Sequence, residues 1–184
     1  MKKKVKLFTT IASLCLAVAL MAFGVYAATT VTATVSGKIT FVATDVDVSL
    51  VSVKWYAENV KNISNTTKAT AAVLSATSED SGVYTLGDDL FVDSLDTEAK
   101  IYIICTVANA SNQNDAELTA AITAADSQFV TKTNPTAVTV GKKAAGTATE
   151  AEITAVIGFK VADKTTTPAN AYDFSVVFNA AKKA

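Results

Sequence analysis

The chain has 184 residues, half of them hydrophobic, with 16 basic residues that are all lysine, 17 acidic residues and no histidine. The missing histidine removes the commonest general base, the Ser-His-Asp and Cys-His nucleophile systems and nearly all zinc sites. Seven scattered glycines form no Walker loop or dinucleotide turn, and no basic patch or arginine fork is present to hold nucleic-acid phosphates.

The first residues predict export. Lys2, Lys3, Lys4 and Lys6 form a positive n-region, an apolar run follows from Leu7 to Tyr26, and Val25 and Ala27 are small residues at −3 and −1 of a cleavage site after Ala27. That is the layout of a secretory signal, residues 1–27, removed by signal peptidase. The competing reading is a retained anchor, since about twenty apolar residues just span a bilayer. Thr9, Thr10, Ser13 and Gly24 dilute the run and no basic flank follows it, so no stable membrane anchor is expected after cleavage. Cys15 lies mid-run after Leu14, which argues against lipidation. Cleavage leaves residues 28–184, 157 residues with 12 lysines against 17 carboxylates, enough for one domain with its own core. Of the two cysteines only Cys105 remains, and in the apolar run Ile101–Val107 it reads as a buried, inert thiol.

Along the remaining chain the apolar pattern has a period of two, the signature of half-buried strands. Val31, Ala33 and Val35 alternate with Thr30, Thr32 and Thr34. Beyond Gly37 the same parity continues through Ile39, Phe41 and Ala43. It changes at Val46, Val48 and Leu50 and flips again at Val51, Val53 and Trp55. One extra residue exchanges the faces of a strand, so bends or bulges are expected near 44–46 and 50–51, in a ribbon that changes sheets. Trp55 then belongs to the core, and the alternative of a surface anchor with Tyr56 is weaker. Asn59–Thr67 reads as a loop. Strands resume at Val83–Leu86 and Leu90–Val92, separated by Gly87, Asp88 and Asp89. Lys100–Ala108, apolar on both faces, reads as a central strand ending in the polar turn Asn109–Asn114. Glu117–Ala125 fits both a strand and a helix capped at Asn114 or Asp115, and its position after a strand and short turn favours the strand. Val138 and Val140 run into a Gly141-Lys142-Lys143 turn, a long strand alternates through Ala151, Ile153, Ala155, Ile157, Phe159 and Val161, and Asp163–Asn170 makes a loop. Tyr172, Phe174, Val176 and Phe178 close the pattern. The fold class predicted is all-β, a jelly-roll or Ig-like β-sandwich of about eight or nine strands in one domain, 28–184.

Carboxylates are the chemical option left. Asp45 with Asp47, and the Asp88-Asp89 turn with Asp93 and Asp96, are the candidates for calcium, but no full ligand loop is present and solvated acidic faces explain them more simply. Nothing picks out a glycosidase pair. No cofactor, no metal and no catalytic residue is expected. Three sequons, at Asn62, Asn65 and Asn109, fall within the chance expectation of a Thr- and Ser-rich chain.

The order of features along the chain carries a resemblance. A Lys-rich leader ends in Gly24-Val25-Tyr26-Ala27-Ala28 and leads into a β-rich segment containing Ser36-Gly37-Lys38-Ile39. A central strand runs into Asn109-Ala110-Ser111. A Gly-Lys turn, a long alternating strand, an Asp-containing loop and the terminal Phe174-Ser175-Val176-Val177-Phe178 follow. Over most of the chain this resembles the TasA/camelysin family of secreted biofilm-matrix proteins from Gram-positive bacteria. This chain is shorter than the fibre-forming members and lacks their long insertions. The resemblance implies a jelly-roll sandwich exported through a dedicated signal peptidase. In some members it implies fibres in which each subunit donates its N-terminal strand to the next.

The residues support such a donor independently. Cleavage would leave Ala28–Ser36 as an alternating strand joined flexibly at Gly37, and an unpaired strand is a template for pairing with another chain. Thr29, Thr30, Val31, Thr32, Ala33, Thr34 and Val35 are the candidate donor residues; the alternative is that they pair within their own domain. The function expected is a secreted, self-associating structural protein of the cell surface or extracellular matrix. The rival class is a monomeric surface binding module using the loops 57–80 or 163–170, and an exported hydrolase is disfavoured by the absence of histidine.

Overall fold

The computed structural model describes residues 31–44, 46–77, 82–92, 98–124, 130–159 and 171–184. The leader and its expected cleavage site, Thr29, Thr30, Asp45, Asp93, Asp96 and the 163–170 loop lie outside the described residues.

Those residues form β1 (Val31–Thr44), β2 (Val48–Glu58), β3 (Ala72–Val73), β4 (Val83–Val92), β5 (Ala99–Asn109), β6 (Ala116–Ala124), β7 (Val130–Thr133), β8 (Val138–Val140), β9 (Thr149–Phe159) and β10 (Ala171–Lys182). The strands build two five-stranded sheets, the first ordered β4-β1-β10-β6-β8 and the second β3-β2-β5-β9-β7. One continuous core takes side chains from both, so the fold is an all-β sandwich. From β3 to β10 every connection passes from one sheet to the other.

The parity changes in the sequence mark real features. β1 ends at Thr44 in the first sheet and β2 begins at Val48 in the second, so the change near 44–46 is the crossing between sheets. The second change is a β-bulge between Leu50 and Ser52. It turns Val51 out to 50% exposure, rather than placing it beside Val53 as simple alternation predicts. Beyond the bulge Val53, Trp55 and Ala57 all point into the core. Ala116–Ala124 is a strand, antiparallel to β10, and β5 is central between β2 and β9. Ile104, on its outer face, is also buried.

Two expected breaks are absent. Gly37 lies inside β1, not at a joint, and Gly87, Asp88 and Asp89 continue β4 rather than forming a turn, because ten consecutive pairs from Val31↔Val92 to Thr40↔Val83 hold the two strands together. Ten strands therefore arise where eight or nine were expected: several predicted segments merge, while β3 and β7 carry no clear apolar alternation of their own.

The core is filled by Ile39, Leu90, Ile101, Ile103, Leu118, Ile157, Phe159 and Phe178, each at most 1% exposed. Each such side chain contributes roughly 1.5–3 kcal/mol through burial. Asn109 is buried too, which places the sequon at Asn109 out of solvent. Its amide nitrogen donates to the carbonyls of Asn114 and Val140, both at 3.1 Å, and its Oδ1 accepts from the Ser111 backbone at 2.9 Å. The side chain thus satisfies the β5–β6 turn from inside and ties it to β8. Asn65 does similar work beside β2: its amide donates to the Trp55 carbonyl at 3.1 Å and its own carbonyl accepts the Ala57 N–H at 3.0 Å.

Candidate functional site

The candidate donor residues lie in the first half of β1. Val31, Thr32 and Ala33 pair with Val92, Phe91 and Leu90 of β4. Thr34 and Val35 pair on both sides, with Asp89 and Asp88 of β4 and with Ala171 and Tyr172 of β10. The segment is thus built into its own sheet in a single chain. Thr34 Oγ1 donates to the Asp89 carboxylate, and Val35 is 1% exposed. The whole strand occupies a slot: β4 runs antiparallel along one edge and β10 parallel along the other, the latter from Thr34↔Ala171 to Thr44↔Ala181.

The core side of β1 presents Val35, Gly37 and Ile39 in succession, all buried. Phe174, the β10 partner of Gly37, lays its ring where a side chain at position 37 would go. A Cβ there would overlap Cζ of that ring and sit 2.7 Å from Cε1. A Cβ there makes the ring shift, and such close approach is a common reason for glycine inside a strand. A hollow of about 400 Å3 opens at the same place, lined by Ser36, Gly37, Lys38, Thr85, Asp173 and Phe174.

The other candidates are dispersed. Asp88 and Asp89 are consecutive in a strand and so face opposite ways; with Thr34, Asn62 and Gly87 they border a hollow of about 360 Å3. Asp47 is exposed. Among the described residues no group of three or more His, Cys, Asp or Glu could hold a metal ion. Cys105 is wholly buried and free, and burial pushes its thiol up to about 12, so thiolate is scarce at neutral pH. Trp55 lies in the core. Its neighbour Tyr56 instead stacks on Tyr102 across the outer face of the second sheet, with ring centroids 4.4 Å apart. The Tyr102 hydroxyl donates to Glu58 at 2.8 Å. Burial, and then that hydrogen bond, push its phenol up to about 12.

Sequence reasoning missed the Gly37–Phe174 contact and the tyrosine stack. Both join residues far apart in the chain, and the only local signal was a lone glycine in an alternating strand.

No known family profile and no curated protein matches the chain. Among solved structures, the major pilin from Streptococcus pyogenes aligns at 8% identity over 82% of this chain and 98% of that one, with a TM-score of 0.16. A likeness that slight carries no argument about fold or function.

Proposed function

We propose that the protein is an exported structural subunit of the cell surface or extracellular matrix, without enzymatic activity, that assembles with copies of itself by exchanging β1. The observation that carries this reading is the place of β1. It is a fourteen-residue strand in the interior of the first sheet, joined to β2 only through residues 45–47. Every ladder pair it makes with β4 and β10 can be remade by β1 of another copy, the condition for swapping an element between protomers, and a short link favours the swap.

The sheet edges support the same route. β3, β7 and β8 have two, four and three residues. The longer edge strand β4 carries Asp88 and Asp89 and is bridged near its ends by Ala76 and Val60. Short, charged or covered edges resist simple strand addition, whereas exchange reuses a full set of main-chain hydrogen bonds. The alternation of sheets from β3 to β10 supports a jelly roll over an Ig-like arrangement, with the parallel β1–β10 pair as a departure from the usual antiparallel roll. Together with a cleaved leader over residues 1–27, this is the reading to which the TasA/camelysin resemblance also points.

Size-exclusion chromatography with negative-stain microscopy over a range of concentrations tests it. Filaments or a ladder that grows with concentration are expected. A lone monomer peak at every concentration would instead favour the surface binding module, a reading consistent with β1 completing the sheet within one chain.

A further inference from the structure

The slot between β4 and β10 is not uniform along its length. Seven residues of β1 share the parity of the core face: Val31, Ala33, Val35, Gly37, Ile39, Phe41 and Ala43. Only Gly37 has no side chain, and it alone stands opposite Phe174. On one side of that pair Val35 meets Tyr172, and on the other Ile39 meets Val176; all four side chains are at most 3% exposed. Phe174, itself 6% exposed, fills the gap that Gly37 leaves.

Consider a strand entering this slot in another register. A slip of one residue turns every core side chain to the outer face. A slip of two keeps the faces but sets Val35 or Ile39 on the Phe174 ring. Larger even slips bring Ala33, Val31, Phe41 or Ala43 there. Each of these carries at least a Cβ, and a Cβ already overlaps the ring. The collision falls where the Phe174 ring lies between the core and the hollow beside it, so added volume there forces the ring off its place.

We propose that Gly37 and Phe174 form a key that sets the register of an incoming strand and restricts it to a second copy of this chain. The inference rests on the exchange reading above and adds to it a rule of selection. The slot accepts a strand whose core face reads large, absent, large, as in Val35-Ser36-Gly37-Lys38-Ile39, and rejects an ordinary alternating Thr/Val strand that lacks the glycine. Selection therefore comes from a clash built against the wrong partner as well as from contacts with the right one.

Directional cross-linking tests the key. Donor copies of the leader-free chain, residues 28–184, carry Ser36→Cys and receptor copies carry Asp173→Cys, positions that are direct partners in the β1–β10 register. A mixed disulfide in excess of that given by a control pair away from the slot, Lys54→Cys with Asp173→Cys, reports a donor's β1 in a receptor's slot. Cys105 stays out of the reaction because it is buried. With Gly37 donors and Phe174 receptors the mixed disulfide should form readily. Donors with Gly37→Ala should give about tenfold less or lower yield with that receptor, the factor expected for overpacking of ~1.4 kcal/mol, and should recover it with receptors carrying Phe174→Ala. If Gly37→Ala alone folds poorly, donors carrying both Gly37→Ala and Phe174→Ala supply the same strand, with the same expected preference for the enlarged slot. Equal yields of Gly37→Ala donors with both receptors would overturn the key while leaving exchange intact. No mixed disulfide beyond that of the control pair in the unaltered Gly37–Phe174 pairing would overturn the exchange reading and the key together.

Discussion

The second sheet pairs β2, β5 and β9 in long antiparallel ladders, whereas the first places the earliest described strand beside the last, in parallel, with β4 hanging on the far side. Parallel pairing is slightly weaker per residue, and among the described residues β1 continues into the sandwich through β2. Removing one strand from the first sheet would separate β4 from β10, since no other described strand joins them. The centre of the second sheet has its three long strands directly bonded, and β5 carries apolar side chains on both faces. Equal strand numbers therefore conceal a difference in connection: the long strands of the second sheet bond one another directly, whereas β4 and β10 meet only through β1.

The largest expected effect comes from cutting into each sheet's core. Ile103→Ala in β5 and Ile39→Ala in β1 each empty a fully buried position and should cost roughly 2–5 kcal/mol in urea unfolding. The two should differ in kind. Amide exchange in the Ile39 variant should accelerate in β1 and β4 while β5 stays protected, as expected for sub-global opening; the Ile103 variant should lose protection in both sheets. Uniform acceleration in both variants would erase the contrast between the sheets.

Asn109→Ala is next. It leaves the Asn114 and Val140 carbonyls and the Ser111 N–H without their side-chain partner, and a cost of about 1–3 kcal/mol is expected. Because the loss falls where β5 meets the turn to β6, thermal unfolding should shift down without any change in strand exchange.

Tyr102→Phe should act by pH. The Tyr102 phenol stands at about 12 instead of 10.0, so the folded chain holds this proton more tightly than the unfolded one. Its contribution is complete below about pH 10 and is lost as pH rises towards about 12. Stability measured across that window should fall less steeply in the Phe variant, while at neutral pH the loss of one half-exposed hydrogen bond should cost about 1 kcal/mol or less. Smallest of all is Lys68→Ala, which removes the exposed ion pair with Glu152 and should change stability by no more than about 0.5 kcal/mol.

Much of the architecture was legible because strand periodicity survives wherever one face meets a core. The parity flips at 44–46 and 50–51 located the sheet crossing and the bulge, and the two apolar faces of Lys100–Ala108 identified the central strand. Glycines were where the reading failed. Gly37 and Gly87 look like breaks when only neighbours in sequence are considered, yet the first lies under a ring 137 residues away in sequence and the second stands opposite Ser36 in a continuous ladder. The alternating pattern of the candidate donor segment was visible, but an alternating strand looks the same whether its partner is its own sheet or another copy's.

The exchange of β1 is tested most directly by the unaltered pairing itself. Leader-free chains with Ser36→Cys mixed with leader-free chains with Asp173→Cys should yield a mixed disulfide that rises with concentration and exceeds that of the off-slot control pair Lys54→Cys with Asp173→Cys, because the first two positions are partners in the β1–β10 register. A mixture that yields no such excess, while a single chain carrying both substitutions closes its own disulfide, would show that β1 stays in the chain that made it and would contradict the account.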